Sequence, residues 1–287
     1  METARWLMLA GPLLYALAAG LALGYLLARR APSQGVLFGI VSCGFVLHSA
    51  GLQMRGMAVG GCPIGNPYEV FQFISWSITL VYVFTGPVFR MTILGTFSAA
   101  LAAILGLLPA AVPAWDETRR SGFIGGNPWI ETHAALALLS YGVFGLLATT
   151  AVMYLFQQRG LRRKQWGDIL RFLPSIVQLE TMNMRLLAVA CGIFTTSQAI
   201  GMVYWFSDPG SISFGKLGIT LGVWLAYLLI FLLRLSQRLH GTRFAWSCVV
   251  LFLFALLALW AVEMDRTAAP PPVDAVHAPF FGIPHGS

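Results

Sequence analysis

The residues of this sequence that could do chemistry are few, and one of them is a histidine at the start of a long apolar run. His133 opens that run in the stretch WIETHAALALLSY. Neutral imidazole is a common metal ligand, so His133 is a candidate for holding a metal at the mouth of a helix bundle. A histidine at such a boundary is also often only solvated or hydrogen-bonded, and the residue alone leaves both interpretations open.

An aromatic pair closes another apolar run and is followed by an acid and a proline. The run ends in Tyr204 and Trp205, and the stretch SDPGS comes next, with Asp208 as its second residue. This segment is either a plain turn between two membrane helices or part of a platform for a flat ligand. A flat apolar ligand with a metal centre would suit a surface that offers indole and phenol rings beside an imidazole.

Three further candidates lie in or beside apolar runs, where polar side chains are costly and usually face a bundle interior or a cavity. His48 is either an inward-facing ligand or proton relay, or a partner in an interhelical hydrogen bond. Glu69 begins a stripe at helical spacing that runs through Gln72 and Phe73 to Trp76. A carboxylate is favoured at a helix N-terminus by the helix dipole, and a stripe of this composition also suits a cavity wall.

The elements that must position these residues are membrane helices. Hydrophobic residues make up 57% of the 287 residues and charged residues only 10%, against about 25% charged residues in soluble domains. Apolar runs of about 20 residues, the length that spans a bilayer as a helix, recur along the chain. We place eight of them, at about 6–28, 36–54, 69–88, 91–112, 132–156, 184–206, 217–235 and 244–263. The sequence therefore predicts an all-α, polytopic membrane bundle of about eight transmembrane helices.

The distribution of basic residues predicts how this bundle is oriented in a bacterial-type inner or plasma membrane. If the loop over 157–183 is cytoplasmic, twelve of the 18 Lys and Arg residues fall on that side, which agrees with the positive-inside rule. Both termini, His133 and the 204–208 segment are then external. The basic charge thus reports topology and contact with anionic headgroups of the lipid bilayer, and no nucleic-acid-binding motif accompanies it. We expect one membrane domain over 1–264 and a Pro-rich, disordered external tail over 265–287.

Several stretches, in the same order along the chain, resemble the CcsA/CcmC/HemX superfamily of cytochrome c assembly proteins. CPIGNPYEVFQFISW is similar to the family stretch P-x-S-N-x-Y-E-S-x-x-F-x-S-W, and THAALALLSYGVF resembles the segment that carries an external haem-ligating histidine. LPSIVQLETMNMR and KLGITLGVWLAY resemble a cytoplasmic segment of the family and the helix that follows its tryptophan-rich loop. Together the matches cover about residues 40–230.

The tryptophan-rich loop of the family is reduced in this chain. The family's WWD loop has a core of Y-W-x-W-D-P-K-E, and the chain reads YWFSDPGS there, with Ser207 in place of the second tryptophan. The transmembrane histidine that the family carries in the following helix is absent, and only His277 in the tail could stand for a second external histidine. These departures make the chain more similar to the HemX-like and YpjD-like branch of the family.

The resemblance implies that the protein binds haem b at the external membrane face and presents it for attachment to apocytochrome c. His133 would be one axial ligand of the iron, and His277 is the candidate for a second. The remaining residues that we predict to bind the cofactor are Tyr204, Trp205, Asp208, His48, Trp76 and Glu69.

The same resemblance implies partners and leaves alternatives. A CcsB-like membrane protein would supply the missing ligands, so the chain would be at most one component of a haem-attachment synthase. A HemX-like protein would instead be a non-catalytic regulator or scaffold of haem metabolism that acts through its basic cytoplasmic loop. A small-solute permease, with His48 and Gln198 lining a path, is disfavoured because the sequence shows neither repeat halves nor paired helix-breaking segments at mid-bilayer depth.

Overall fold

The computed structural model describes residues 2–30, 33–89, 92–117, 128–163, 173–207 and 214–268. Within these ranges the regular structure is helical throughout, which confirms the predicted fold class. The α-helices are α1 (Glu2–Leu27), α2 (Gln34–Val59), α3 (Pro67–Phe89), α4 (Thr92–Leu107), α5 (Ala114–Glu117), α6 (Pro128–Arg163), α7 (Ile176–Ser207), α8 (Phe214–Leu235) and α9 (Gly241–Ala268). A short 3-10 helix, Leu108–Ala111, extends α4.

Seven of the described helices are long and apolar enough to cross a membrane, namely α1, α2, α4 with its 3-10 extension, α6, α7, α8 and α9. The remaining predicted run lies on α3, which has 23 residues. Several polar residues of this helix are buried inside the bundle: Glu69, Gln72, Ser75, Ser77 and Thr79. The chain is therefore an integral, multi-pass membrane protein whose α3 faces protein on its polar side.

The last helix is longer than the sequence predicted. The sequence predicts the final run at about 244–263, whereas α9 extends to Ala268, into the segment that we expect to form the tail. Residues 269–287, including His277, lie outside the described residues.

Glycines allow the first two helices to pack closely. α1 packs along α2 and α4, α3 along α4 and α6, and α6 along α7 and α9. At the α1–α2 interface, a Cβ on Gly11 would lie 2.6 Å from the Cβ of His48, and one on Gly51 would lie 2.7 Å from the backbone nitrogen of Met8. Small residues let helix backbones approach this closely in a membrane, where van der Waals packing drives helix association. α1 and α2 therefore form one tightly packed pair.

Contacts between helix ends show which segments share one end of the bundle. At one end, which we call the His133 end, side-chain contacts join α1 to α5, α2 to α3 and α6 to α7: Arg5–Asp116, Arg55–Glu69 and His133–Ser197. At the opposite end, Arg234 of α8 forms an ion pair of 2.8 Å with Glu180 of α7. The predicted groups around His133, Glu69 and Trp205 are therefore on helix segments that reach the same end.

Candidate functional site

His133 lies in the second turn of α6 and packs against α7. Its Nδ1 is 2.7 Å from the backbone carbonyl oxygen of Ser197, and the Ser197 hydroxyl donates a hydrogen bond of 2.8 Å to the His133 carbonyl oxygen. The histidine is half-buried, whereas Ser197 is fully buried. The ring therefore lies in the seam between two helices.

The contact with Ser197 fixes the tautomer of the His133 ring. A backbone carbonyl only accepts hydrogen bonds, so the ring nitrogen beside it must carry the proton. In the neutral ring, Nε2 is then the nitrogen with the lone pair. Metal-ligating histidines are commonly held in this way by a hydrogen bond from the other ring nitrogen to a carbonyl or carboxylate. The arrangement therefore has the donor chemistry of a metal or haem-iron ligand.

The predicted aromatic pair lies on α7, one turn beyond Gly201, where the His133 ring contacts this helix. A Cβ on Gly201 would lie 2.7 Å from His133 Nδ1, so the ring rests against α7 at this glycine. Tyr204 and Trp205 are three and four residues further on, which places them on the same face of α7 in the next turn. Both are half-buried, and the Trp205 ring centroid lies 5.2 Å from that of the exposed Phe206. We call this group, His133, Ser197, Gly201, Tyr204 and Trp205, the α6–α7 seam.

Two residues predicted to belong to this site cannot be placed in it. Asp208 follows the last residue of α7 directly, and His277 is in the tail. Both lie outside the residues that the structure describes, so their assignment stays a prediction.

Glu69 belongs to a second cluster, which surrounds a buried arginine. Arg55 donates from Nε to Glu69 Oε1 at 2.6 Å and from Nη2 to Asp116 Oδ1 at 2.5 Å. Glu69 Oε2 accepts a further hydrogen bond of 2.7 Å from the backbone N–H of Gly65. Arg55 is 4% exposed and Glu69 fully buried. Both carboxylate oxygens of Glu69 are thus bonded within the protein, and the residue joins α2, the loop before α3 and, through Arg55, α5.

The local sequence explains why Glu69 occupies this position. Asn66 precedes α3, and its side-chain oxygen accepts a hydrogen bond of 2.8 Å from the backbone N–H of Glu69, which is an N-cap. Pro67 is the first helical residue, a position that tolerates proline because its missing N–H would have no partner within the helix. The positive end of the helix dipole then favours the Glu69 carboxylate in the first turn.

His48 is sealed in the interior and separate from the α6–α7 seam. It is fully buried, its ring centroid lies 6.0 Å from that of Tyr15, and its Nδ1 is 3.4 Å from the Tyr15 hydroxyl. Gly11 packs against its Cβ, as described above. These contacts match the interhelical hydrogen bond that the sequence left as one of two interpretations. We call the residues that join α1, α2 and α3 here, His48, Tyr15, Arg55 and Glu69, the α2–α3 cluster.

Trp76 lines an apolar cleft between α2 and α3. The cleft has a volume of about 520 Å³, and the loop that follows α2 also lines it, through Gly60–Pro63. The Trp76 indole N–H donates to Ser49 at 2.7 Å, and its ring stacks on Phe45 with centroids 5.8 Å apart. The predicted stripe is therefore divided, since Glu69 and Gln72 are buried and Phe73 and Trp76 line the cleft.

Cys62 lines the same cleft and is close to the start of α6. Its backbone N–H donates to Glu131 at 3.3 Å. Burial, followed by the negative charges of Glu131 and Glu69, raises the pKa of the Cys62 thiol to about 11. The thiol is thus protonated and weakly nucleophilic at neutral pH.

Sequence reasoning did not select the residues that hold His133 in place. Ser197 and Gly201 differ from Trp205 by eight and four residues, so all three share one helix face. That spacing was visible in the sequence, but a serine and a glycine in a membrane helix are usually only small packing residues. Asp116, the second partner of Arg55, lies in a loop segment whose short helix no periodic pattern predicts.

Comparison with known proteins identifies the class to which this bundle and its site belong. The sequence profile of the family described as Cytochrome C assembly protein matches residues 64–267. This range contains α3, the α6–α7 seam and the whole of α8, and it makes up more than half of the chain. The chain therefore belongs to the cytochrome c assembly protein family, which supports a role in cytochrome c biogenesis and the handling of haem.

Individual relatives are distant and cover the chain unequally. Protein HemX of Brevibacillus brevis is 25% identical over 167 residues, which are 58% of this chain and 61% of that protein. Protein HemX of Bacillus subtilis is 24% identical over 217 residues, 71% of this chain and 75% of that protein. Cytochrome c biogenesis protein CcsA of Porphyra purpurea is 22% identical over 111 residues, 38% of this chain and 35% of that protein. These likenesses support the HemX-like branch of the family.

Proposed function

We propose that the protein holds haem b at the external membrane face during cytochrome c biogenesis. The observation that carries this proposal is the contact of His133 Nδ1 with the Ser197 carbonyl oxygen at 2.7 Å, about two helical turns before Tyr204 and Trp205. An imidazole whose Nδ1 carries the proton offers Nε2 to iron, and the indole and phenol rings offer flat apolar surfaces to a porphyrin. The donor set of the α6–α7 seam thus fits haem.

The chain's own residues would have three tasks in this function. His133 would ligate the iron, Tyr204 and Trp205 would pack against the porphyrin, and the surrounding apolar helices would limit access of water. Asp208 and His277 would complete the site from the external segments. The haem itself would supply the vinyl groups that form thioether bonds with cysteine thiols of an apocytochrome c.

The reduced aromatic loop supports a function shared with a partner. The chain has one histidine in the described part of the seam and lacks the family's second loop tryptophan. A CcsB-like membrane partner would supply the missing iron ligand and bring the apocytochrome to the haem. The protein is then a haem-presenting component of an attachment system.

Absorption spectroscopy of the detergent-purified protein with added haem tests this proposal. We expect a Soret band typical of a histidine-ligated haem in the wild type and an affinity at least about tenfold lower in His133→Ala, because groups that support a metal ligand already contribute 10–100-fold. His240→Ala is the matched control, since His240 lies in the tight loop between α8 and α9, at the opposite end of the bundle, and is exposed. No haem binding by the wild type, or equal binding by His133→Ala, would overturn the proposal.

A second function is favoured by the extent of the HemX matches, which cover more of this chain than the CcsA match does. In it, the protein is a HemX-like regulator or scaffold of haem metabolism that contacts a soluble enzyme through its basic cytoplasmic loop. Deletion of the gene separates the two functions. Loss of covalently attached cytochrome c supports haem presentation, whereas normal cytochrome c with altered haem synthesis supports regulation.

A further inference from the structure

We propose that Ser197 and Gly201 of α7 are positioning residues that select Nε2 of His133 as the nitrogen offered to iron. This inference rests on the proposed function, and it assigns to α7 a second role beside that of carrying the aromatic pair. It is built from the contacts of His133 with α7.

Ser197 holds both the ring and the backbone of His133. Its carbonyl oxygen accepts the Nδ1 proton at 2.7 Å, and its hydroxyl donates to the His133 carbonyl oxygen at 2.8 Å. The hydroxyl oxygen is also 3.2 Å from Nδ1. Ser197 is fully buried, so water does not compete for these hydrogen bonds. The second turn of α6 is therefore bonded to α7 through both the main chain and the side chain of one residue.

Gly201 provides the space that this contact requires. A Cβ at this position would lie 2.7 Å from Nδ1, 2.8 Å from Cε1 and 3.3 Å from Cγ of His133. Two of these separations are shorter than side-chain carbons tolerate, so any larger residue would push the ring away from the Ser197 carbonyl. Glycine is unfavourable in a helix interior, and here its lack of a side chain lets the imidazole lie directly against the α7 backbone.

The two residues together decide which ring nitrogen carries the proton and which carries the lone pair. While Nδ1–H is bonded to the carbonyl, the neutral ring has its lone pair on Nε2. If the ring moves away from α7, the proton is free to occupy either nitrogen, and the orientation of the imidazole is no longer fixed relative to Tyr204 and Trp205. A carbonyl that accepts the Nδ1 proton also makes Nε2 a stronger donor to a metal.

Gly201→Ala and Gly192→Ala form a matched pair of variants for the test. Both change glycine to alanine within α7, but a Cβ on Gly192 meets nothing within 4 Å. In haem-free protein labelled with 15N-histidine, we expect the His133 resonances to report an Nδ1-protonated ring in the wild type and in Gly192→Ala. In Gly201→Ala we expect a changed tautomer ratio. The His133→Ala spectrum assigns these resonances.

Haem titration of the same variants provides the second readout. We expect Gly201→Ala to bind haem at least about tenfold more weakly and to shift the reduction potential of the iron, while Gly192→Ala behaves as the wild type. Unchanged His133 resonances together with unchanged affinity in Gly201→Ala would overturn the inference. If the wild type binds no haem, the proposed function fails, and the resonances of the haem-free protein still decide whether α7 sets the tautomer.

Ser197→Ala keeps the test decisive if Gly201→Ala does not fold. This variant retains the carbonyl but loses both contacts of the hydroxyl, so we expect a smaller decrease in haem affinity and a partial change in the tautomer ratio. A Ser197→Ala protein with wild-type resonances and affinity would show that the hydroxyl has no positioning role. Restoration of both properties by Ser197→Thr, which keeps a hydroxyl, would support that role.

Discussion

His48 and His133 are held in opposite ways. In the α2–α3 cluster, His48 is fully buried and packs against Gly11 and Tyr15. In the α6–α7 seam, His133 is half-buried and rests against the α7 backbone at Ser197 and Gly201, one turn before Tyr204 and Trp205. The first arrangement leaves no room around the histidine for another molecule. The second fixes one edge of the ring against α7, the helix that carries Tyr204 and Trp205 in its next turn.

The two regions also differ in charge, because ion pairs hold the α2–α3 cluster and hydrogen bonds hold the described part of the α6–α7 seam. The α2–α3 cluster contains Arg55 between two carboxylates, with the Arg55–Glu69 pair almost completely removed from solvent. Ion pairs in such surroundings specify how helices and loops fit together, because either charge alone would be very costly there. The described part of the seam relies on hydrogen bonds and aromatic rings instead. We therefore expect the cluster to maintain the architecture and, under the proposed function, the seam to bind the ligand, and three variants test this division.

The largest effect is expected from Arg55→Ala, which leaves the Glu69 carboxylate buried without its cation. Breaking one half of a buried pair costs about 3–5 kcal/mol, so the variant should unfold at much lower denaturant concentration in detergent. Arg5→Ala is the control, because the Arg5 side chain is 43% exposed and its Nε lies 3.7 Å from Asp116 Oδ2, a longer and weaker contact than those of Arg55. Exposed pairs of this kind contribute about 0–1 kcal/mol. Equal destabilisation by the two variants would contradict the architectural role of Arg55.

The next effect is that of His48→Ala on stability. Removing a large buried side chain leaves a cavity and costs about 2–5 kcal/mol. If His48 only supports the helix packing, the folded fraction of the variant should bind haem with the affinity of the wild type. His133→Ala should show the reverse pattern, with little loss of stability and a large loss of binding. A His48→Ala protein that is stable but binds no haem would move the ligand site from the seam to the cluster.

The sequence predicted the helices well because length and apolarity decide membrane spanning, and both are visible without a structure. It also drew attention to the polar and aromatic residues of both regions, since each of them is unusual in an apolar run, and their role in binding stays a prediction. What it could not show is which of these residues belong to the α2–α3 cluster, which to the α6–α7 seam and which to the cleft at Trp76. Glu69 and Trp76 share one helical stripe, yet the structure places the carboxylate against Arg55 and the indole against Phe45.

The contact that carries the functional proposal was likewise beyond sequence reasoning. It depends on the position of α6 along α7, which brings residue 133 to residues 197 and 201 across more than 60 positions of chain. A serine and a glycine give no chemical signal by themselves, and only the packing shows that one accepts the imidazole proton and the other makes room for the ring. Helix periodicity predicts which residues of α7 share a face, but not which helix that face meets.

The smallest effect is a pH-dependent one at Cys62, beside the cluster. Burial and the nearby carboxylates raise its pKa to about 11, so the thiolate is scarce at neutral pH and alkylation by iodoacetamide should be about 100-fold slower than for an ordinary thiol with pKa near 9. The rate of modification at residue 62, followed by peptide mass spectrometry because Cys43 is also free and exposed, should rise about tenfold per pH unit up to about pH 11 in the folded protein, and that modification should be absent in Cys62→Ser. Because the folded state holds this proton more tightly than the unfolded chain, the associated stabilisation is complete below about pH 9 and is lost as the pH rises towards 11.

Glu131→Gln should lower the pKa of the Cys62 thiol modestly, since burial, and not this carboxylate, is the larger cause of the raised pKa. Rapid labelling of Cys62 at pH 7 would mean that the loop after α2 does not bury this thiol. The loop would then not line the cleft at Trp76 in the way that the structure shows.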